Sequence, residues 1–424
     1  MTLREGRAGL LAGILIHLLF LASLGTQLFT PLFIEAQHAR GQAGDYFGIY
    51  QAGDNLVHGT SIYDYEGYQN EAQRRVPYFY FYRYLPPCAY LAALSALVLS
   101  PWAGYWVWVI VTELLLLLVV LWILRLDGYP IGARRLYAGL WLGFFPFLLE
   151  QWMGQFSFLM AVFLWILLRQ SMPDRPAEPP RGRAFWAWCA SVALKSYTAL
   201  FALPFLRRRW VRPVAACAAV VVLVSAPYYI ARPEDLRQFL FVNFRPLPPG
   251  VLGGSLGASA FVRMLGWLLP QAVADRLLDF KVFDVYLGNV PVFIVDLLVV
   301  AGALWSTFGR RRAAALHIDL SIWTLAFFLV FQDVWEYHYV MLLPVVTALG
   351  LASRSRFVLL MGLLLALPTP YILFARADHS LAVAPSLLHH ASKALPSYAL
   401  YLWAVRNRFE SEWKSNRLDS SHSC

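Results

Sequence analysis

Residues 103–124 read AGYWVWVIVTELLLLLVVLWIL, twenty-two positions whose one charge is Glu113. As an α-helix such a run extends about 33 Å, enough to cross a hydrocarbon core about 30 Å thick. It is not isolated. Comparable apolar runs lie at 9–31, 213–230, 290–308, 316–332, 337–352 and 357–374, with shorter ones at 136–150, 153–168, 184–195, 197–206 and 387–405. Across 424 residues, 59% are hydrophobic, 14% are charged and the mean hydropathy is +0.55. A soluble domain carries roughly 25% charged residues, so the chain reads as an all-α polytopic membrane protein.

The net charge of +10 is arginine charge, with lysine only at 195, 281, 393 and 414. Nucleic-acid binding needs basic residues gathered on one soluble face, whereas these stand in short clusters between apolar runs. Arg207–Arg209, Arg310–Arg312 and Arg354/Arg356 are examples. Placing every such cluster in the cytoplasm satisfies the positive-inside rule. It also predicts about twelve transmembrane helices, both termini inside, and a retained first span near the N-terminus. The segment 85–100 must then lie in the outer leaflet, and 184–206 must form a hairpin turning near Lys195. Two long loops, 32–102 and 231–289, fall on the outer side; 406–424 is a cytoplasmic tail. Both loops contain amphipathic stretches, Asp45–His58 and Pro233–Phe244, suited to helices lying in the interface. No internal repeat is evident, and the chain reads as one membrane domain. Cys88, Cys189, Cys217 and Cys424 lack metal-ligand spacing and read as small core residues.

Ionisable groups beside spans are costly and point to function. Asp45 opens the first outer stretch, Gly-Asp-Tyr-Phe-Gly-Ile-Tyr, either as a helix N-cap or as a carboxylate base; Asp54 and Asp64 read as solvated. Arg83, in Tyr82-Arg83-Tyr84-Leu85-Pro86-Pro87, is placed to meet a lipid phosphate. Gln155 closes an outer turn, Glu150 to Gln155. Lys195 sits between two apolar halves and needs an anionic partner. Arg245 and the Gly253-Gly254-Ser255 stretch lie in the second loop. Asp333-Val-Trp335-Glu336-Tyr-His338-Tyr packs acids, a histidine and aromatics into one outer turn. An orientation chosen from arginines alone gathers all of these on one side.

Several of these segments, taken in order, resemble glycosyltransferase family 87. They are Asp45-Tyr-Phe-x-x-Tyr-x-Ala-x-x-Asn-Leu-x-x-Gly59, Tyr84-Leu-Pro-Pro87, Met153-Gly-Gln155, Leu194-Lys195, Arg207–Trp210, Gly253-Gly-Ser-Leu256 and Trp335-x-x-His338. The resemblance covers roughly residues 9–370. It implies a GT-C fold in a bacterial inner membrane, with the active site facing the periplasm. It also implies transfer of a hexose, mannose in the family's case, from a polyprenyl-phosphate-linked donor to a glycolipid or glycan acceptor. Asp45 takes the role of general base, and His338 lies near the donor phosphate.

The chemistry asks for cations at the leaving phosphate, a part open to Lys195, Arg245, His338 and Arg83. Tyr46, Tyr84, Gln155, Ser255, Trp335 and Glu336 are expected to line the substrates. No Asp-x-Asp pair stands in the outer turns, so neither metal nor cofactor is expected, and in-line attack inverts the anomeric configuration. A lipid-linked sugar flippase or a non-catalytic assembly subunit would use the same outer cavity and remains the alternative.

Overall fold

The computed structural model describes residues 2–36, 40–63, 74–172, 178–244, 256–266, 273, 281–282, 285–286, 290–309, 315–331, 333–370 and 383–421. Its elements are helical except for one antiparallel hairpin in which Lys281–Val282 pairs with Val285–Tyr286. Four helices are long and apolar enough to cross a membrane: α1 (Leu3–Thr26), α5 (Pro101–Leu124), α11 (Val211–Ala231) and α14 (Val290–Phe308). On α1 and α5 the leucines at 11, 15, 18, 19, 114, 117 and 118 are exposed, as suits faces turned to lipid. Among the remaining elements, α2 is Thr30–Ala36, α3 is Gly44–Val57 and α4 is Pro86–Val98. They continue with α6 (Ile131–Leu142), α7 (Phe145–Met153), α8 (Ser157–Gln170), α9 (Gly182–Leu194), α10 (Ala202–Arg207), α12 (Pro233–Phe244) and α13 (Ala258–Gly266). The last are α15 (Leu316–Val330), α16 (Leu343–Ser353), α17 (Arg356–Ala366) and α18 (Val383–Ser421).

Glycines set the tightest crossing. Gly6, Gly9 and Gly13 of α1 face Gly132, Leu136 and Gly139 of α6. A Cβ added at Gly6 would stand 2.5 Å from the Gly132 carbonyl oxygen, and one at Gly13 would meet that of Gly139. Small residues let two apolar helices approach backbone to backbone, the usual means of association in lipid. Beside this crossing, His17 Nε2 meets Glu113 Oε2 at 2.8 Å and Gln151 donates to Glu113 Oε1 at 2.5 Å, which pins α1, α5 and α7 together.

Several expected runs are interrupted, for local reasons. The run 136–150 breaks at Gly143 and Phe144, ahead of Phe145-Pro146, into α6 and α7. The run 337–352 begins as a 3₁₀ helix, Glu336–Leu342, and becomes α-helical only at α16, where Pro344 lacks the N–H an uninterrupted helix would use. α17 stops at Ala366, so 367–370 does not continue it, and 371–374 lies outside the described residues. The run 85–100 gives the thirteen-residue α4, about 20 Å long and too short to cross. The break expected near Lys195 is present: α9 ends there in extended backbone, and a 3₁₀ turn, Ser196–Phe201, leads into α10. Arg208, one of the arginines of the orientation cluster, pairs through a buried side chain with Asp319 at 2.7 Å, with Arg408 3.7 Å from the same carboxylate.

Candidate active site

The first outer helix is held by its neighbours rather than by a side-chain cap. Ala43 adopts φ +67° at the N-cap, and its N–H donates to the Trp152 carbonyl at 2.8 Å, tying the start of α3 to the end of α7. Asp45 therefore occupies the second helical position and does not cap. Gly48 passes so close to the Tyr80 carbonyl, and Gly53 so close to the α4 backbone at Ala92–Ala93, that no side chain fits at either. Tyr46 points between α3 and α4: it is buried and its hydroxyl meets Ser95 Oγ at 2.9 Å, so it packs beneath the site.

Asp45 is half-buried, and its Oδ2 is shielded without a hydrogen-bond partner. Burial pushes its carboxyl up from 3.8 to about 6, against the Lys195 ammonium, the side chains of Gln155 and Tyr337, and the Arg83 guanidinium, all of which favour the charged form. Gln155 is fixed at both ends, its Nε2 donating to Tyr84 Oη at 2.8 Å and its Oε1 accepting from Phe156 N–H at 3.0 Å. Lys195 Nζ donates to Ser157 Oγ at 2.6 Å and lies 4.9 Å over the Phe156 ring.

A second tie crosses from the first loop to the late turn. Arg83 Nη1 pairs with Asp333 Oδ2 at 3.0 Å, and Trp335 Nε1 donates to Asp333 Oδ1 at 2.8 Å. Trp335 N–H donates to His338 Nδ1 at 3.0 Å. That nitrogen must be unprotonated to accept, so the ring proton sits on Nε2 as a donor. His338 also lies within Coulombic reach of Lys195.

The structure thus gathers Asp45, Arg83, Tyr84, Gln155, Lys195, Trp335 and His338 at the ends of α3, α7, α9 and the late 3₁₀ turn. Arg245 and Ser255 lie outside the described residues, as does Asp64. Glu336, expected to line the substrate, is turned into the core. It is fully buried, accepts from Thr369 N–H at 2.9 Å and Thr369 Oγ1 at 2.7 Å, and pairs with Lys393 at 3.3 Å. Asp54, read as solvated, is also buried; nine residues beyond Asp45 puts it on the opposite face of α3. There it meets Arg75 Nε and His58 Nδ1, both at 3.5 Å. Sequence reasoning passed over Glu150 and Tyr337 as site residues. An acid at the end of an apolar run was the available signal for Glu150; Tyr337 carried none beyond its place beside His338.

A model described as glycosyltransferase family 87 matches residues 82–332. The chain belongs to glycosyltransferase family 87. Neither a curated protein nor a solved structure matches it. The family 87 match takes in Arg83, Tyr84, Glu150, Gln155 and Lys195; Asp45, Asp333, Trp335, Tyr337 and His338 lie beyond its two ends.

Proposed function

We propose that this family 87 glycosyltransferase moves a hexose, mannose by family precedent, from a polyprenyl-phosphate-linked donor to a glycolipid or glycan at the periplasmic face of a bacterial inner membrane. The observation that carries the reading is a carboxylate with an uncommitted oxygen, Asp45, near an ammonium, Lys195, beside helices that suit an interface. The acceptor hydroxyl attacks the anomeric carbon, and its proton passes to the Asp45 carboxylate. The bond from that carbon to the phosphate oxygen breaks with inversion. Lys195, Arg83 and the Nε2–H of His338 supply positive charge and a donor to the departing polyprenyl phosphate. These groups do the work a divalent ion would otherwise do, so the transfer needs no metal.

The short arginine clusters support a topology of about twelve crossings with both termini in the cytoplasm, and with 32–102 and 231–289 outside. A lipid phosphate rather than a nucleotide fits a site this close to membrane-crossing helices. The test is the purified protein in nanodiscs with a panel of polyprenyl-phosphate hexoses, following release of polyprenyl phosphate. Release that depends on acceptor supports the reading. Binding of lipid-linked sugar without release would turn it to the flippase alternative, and transfer from nucleotide sugars alone would overturn it.

A further inference from the structure

Glu150 has no part in the transfer as written, yet it stands in the middle of the group. It ends an apolar run on α7 and is completely buried. Oε1 accepts from Phe158 N–H at 2.8 Å, while Oε2 has no hydrogen-bond partner. A carboxylate sealed from water with one neutral donor is costly unless a charge offsets it. The cation available to offset it is Lys195, within Coulombic reach of both Glu150 and Asp45 and held one residue away from the group that binds Glu150. Both ions are held from one place in the chain. Ser157 Oγ takes the Lys195 ammonium at 2.6 Å and the next residue's N–H takes Glu150. These are the first two residues of α8, where the helix dipole also favours a carboxylate.

We propose that Glu150 is a positioning residue of the donor-phosphate site, the buried counter-ion that holds the Lys195 ammonium charged and in place beside Ser157. The inference rests on the reading of Lys195 as the phosphate ligand. Asp45 is unsuited to this task. It gains a proton as the acceptor is activated, so its charge is lost just as charge develops on the leaving phosphate. Glu150 has no contact with the acceptor in this scheme, so it takes no proton when the acceptor is activated. Of its two oxygens, one is fixed by backbone and the other has no donor, and the ammonium is held by Ser157 and not by Glu150, so it remains able to turn towards a phosphate.

A double-mutant cycle on binding of undecaprenyl phosphate to the full chain in nanodiscs tests this. Glu150→Gln keeps the shape and an acceptor for Phe158 N–H but removes the charge. Glu150→Gln and Lys195→Met are each expected to weaken binding by about tenfold or more, and the double variant to be no weaker than Lys195→Met alone. Glu150→Asp should recover part of the loss. In transfer assays the Glu150→Gln defect should fall on donor KM and leave acceptor KM unchanged. Losses that multiply in the double variant, or wild-type binding by Glu150→Gln, would overturn the role of Glu150 alone. Failure of the wild type to bind the lipid phosphate would overturn the functional reading and this inference with it. If both Glu150 variants fail to fold while Lys195→Met folds, the inference is also wrong, because a counter-ion of Lys195 has no more to hold than Lys195 itself.

Discussion

Replacing Asp45 with Asn should separate activity from stability, in opposite directions. In the wild type the base must be ionised, and burial has pushed its carboxyl up to about 6. Activity should therefore fall through an acid limb centred near pH 6. At pH 5 about one-tenth of the carboxyl is ionised, against more than about nine-tenths for an ordinary aspartate. Asp45→Asn should lose the ~10²–10⁴ that general-base catalysis supplies.

Stability follows from the same shift by linkage. The folded chain holds the Asp45 proton more tightly than the unfolded chain does, so stability falls as pH rises from about 4 to 6 and the penalty stays constant above that. A rise from 3.8 to about 6 corresponds to about 3 kcal/mol, an upper bound because the group is half-buried and partly screened by solvent. Asn does not ionise and escapes this penalty. Nor does it lose a cap, since Ala43 holds the N-cap position. Thermal unfolding of both proteins from pH 4 to 7 is the measurement. Constant costs of the substitution, such as an unpaired amide, cancel when the difference is followed against pH. The Asn variant should gain on the wild type between about pH 4 and 6 and keep that gain unchanged up to pH 7. A difference that stays flat, or an acid limb of activity below pH 5, would refute the reasoning.

Other consequences are reached more directly. Gly139→Leu should force α1 from α6, because a side chain there meets the Gly9 carbonyl and Leu10. The cost should be about 1–3 kcal/mol or more, read as a lower unfolding temperature; Gly25→Leu, which meets nothing within 4 Å, should cost far less. His17→Phe should destabilise by about 1–3 kcal/mol by stripping Glu113 of its ring partner, with Glu113→Gln the milder change in the same thermal assay. Sugar transfer should survive EDTA, and loss restored by magnesium would show that a metal shares the work. In a cysteine-free background, Thr60→Cys should react with an impermeant thiol reagent added outside and Glu178→Cys should not; labelling of the second in intact cells would invert the topology.

The long spans were legible because an apolar run about 20 residues long has few other uses. α5 and α14 fall within two residues of the run that announced them. The interruptions were less legible. Gly143 and Pro344 were visible as residues, but an uninterrupted apolar run outweighed them when the pattern was read by hydropathy. The site was legible residue by residue and not pair by pair. Arg83 and Asp333 are 250 positions apart and Lys195 and Ser157 are 38, so nothing local announces either contact. The same blindness misjudged Asp54 and Glu336. Each is an acid among aromatics in an outer segment, and what distinguishes them from Asp45 is a partner supplied by another part of the chain.

That distinction also sorts the carboxylates around the site by what they can do. Glu336 has two hydrogen bonds from Thr369 and the Lys393 ammonium, so protonating it would sacrifice well-placed interactions. Asp333 is divided between Arg83 and Trp335, and Asp54 between Arg75 and His58. A carboxylate satisfied in this way is geometrically occupied, which suits it to hold structure. Glu150 is sealed from water altogether, so it cannot reach an acceptor hydroxyl. Asp45 alone among these five combines partial exposure with an oxygen that no donor occupies and a carboxyl raised to about 6. A general base has to be ionised near neutral pH, accessible to its substrate and not already committed. Those conditions meet at Asp45 because the other acids around it are either satisfied by partners or, in Glu150, sealed from water.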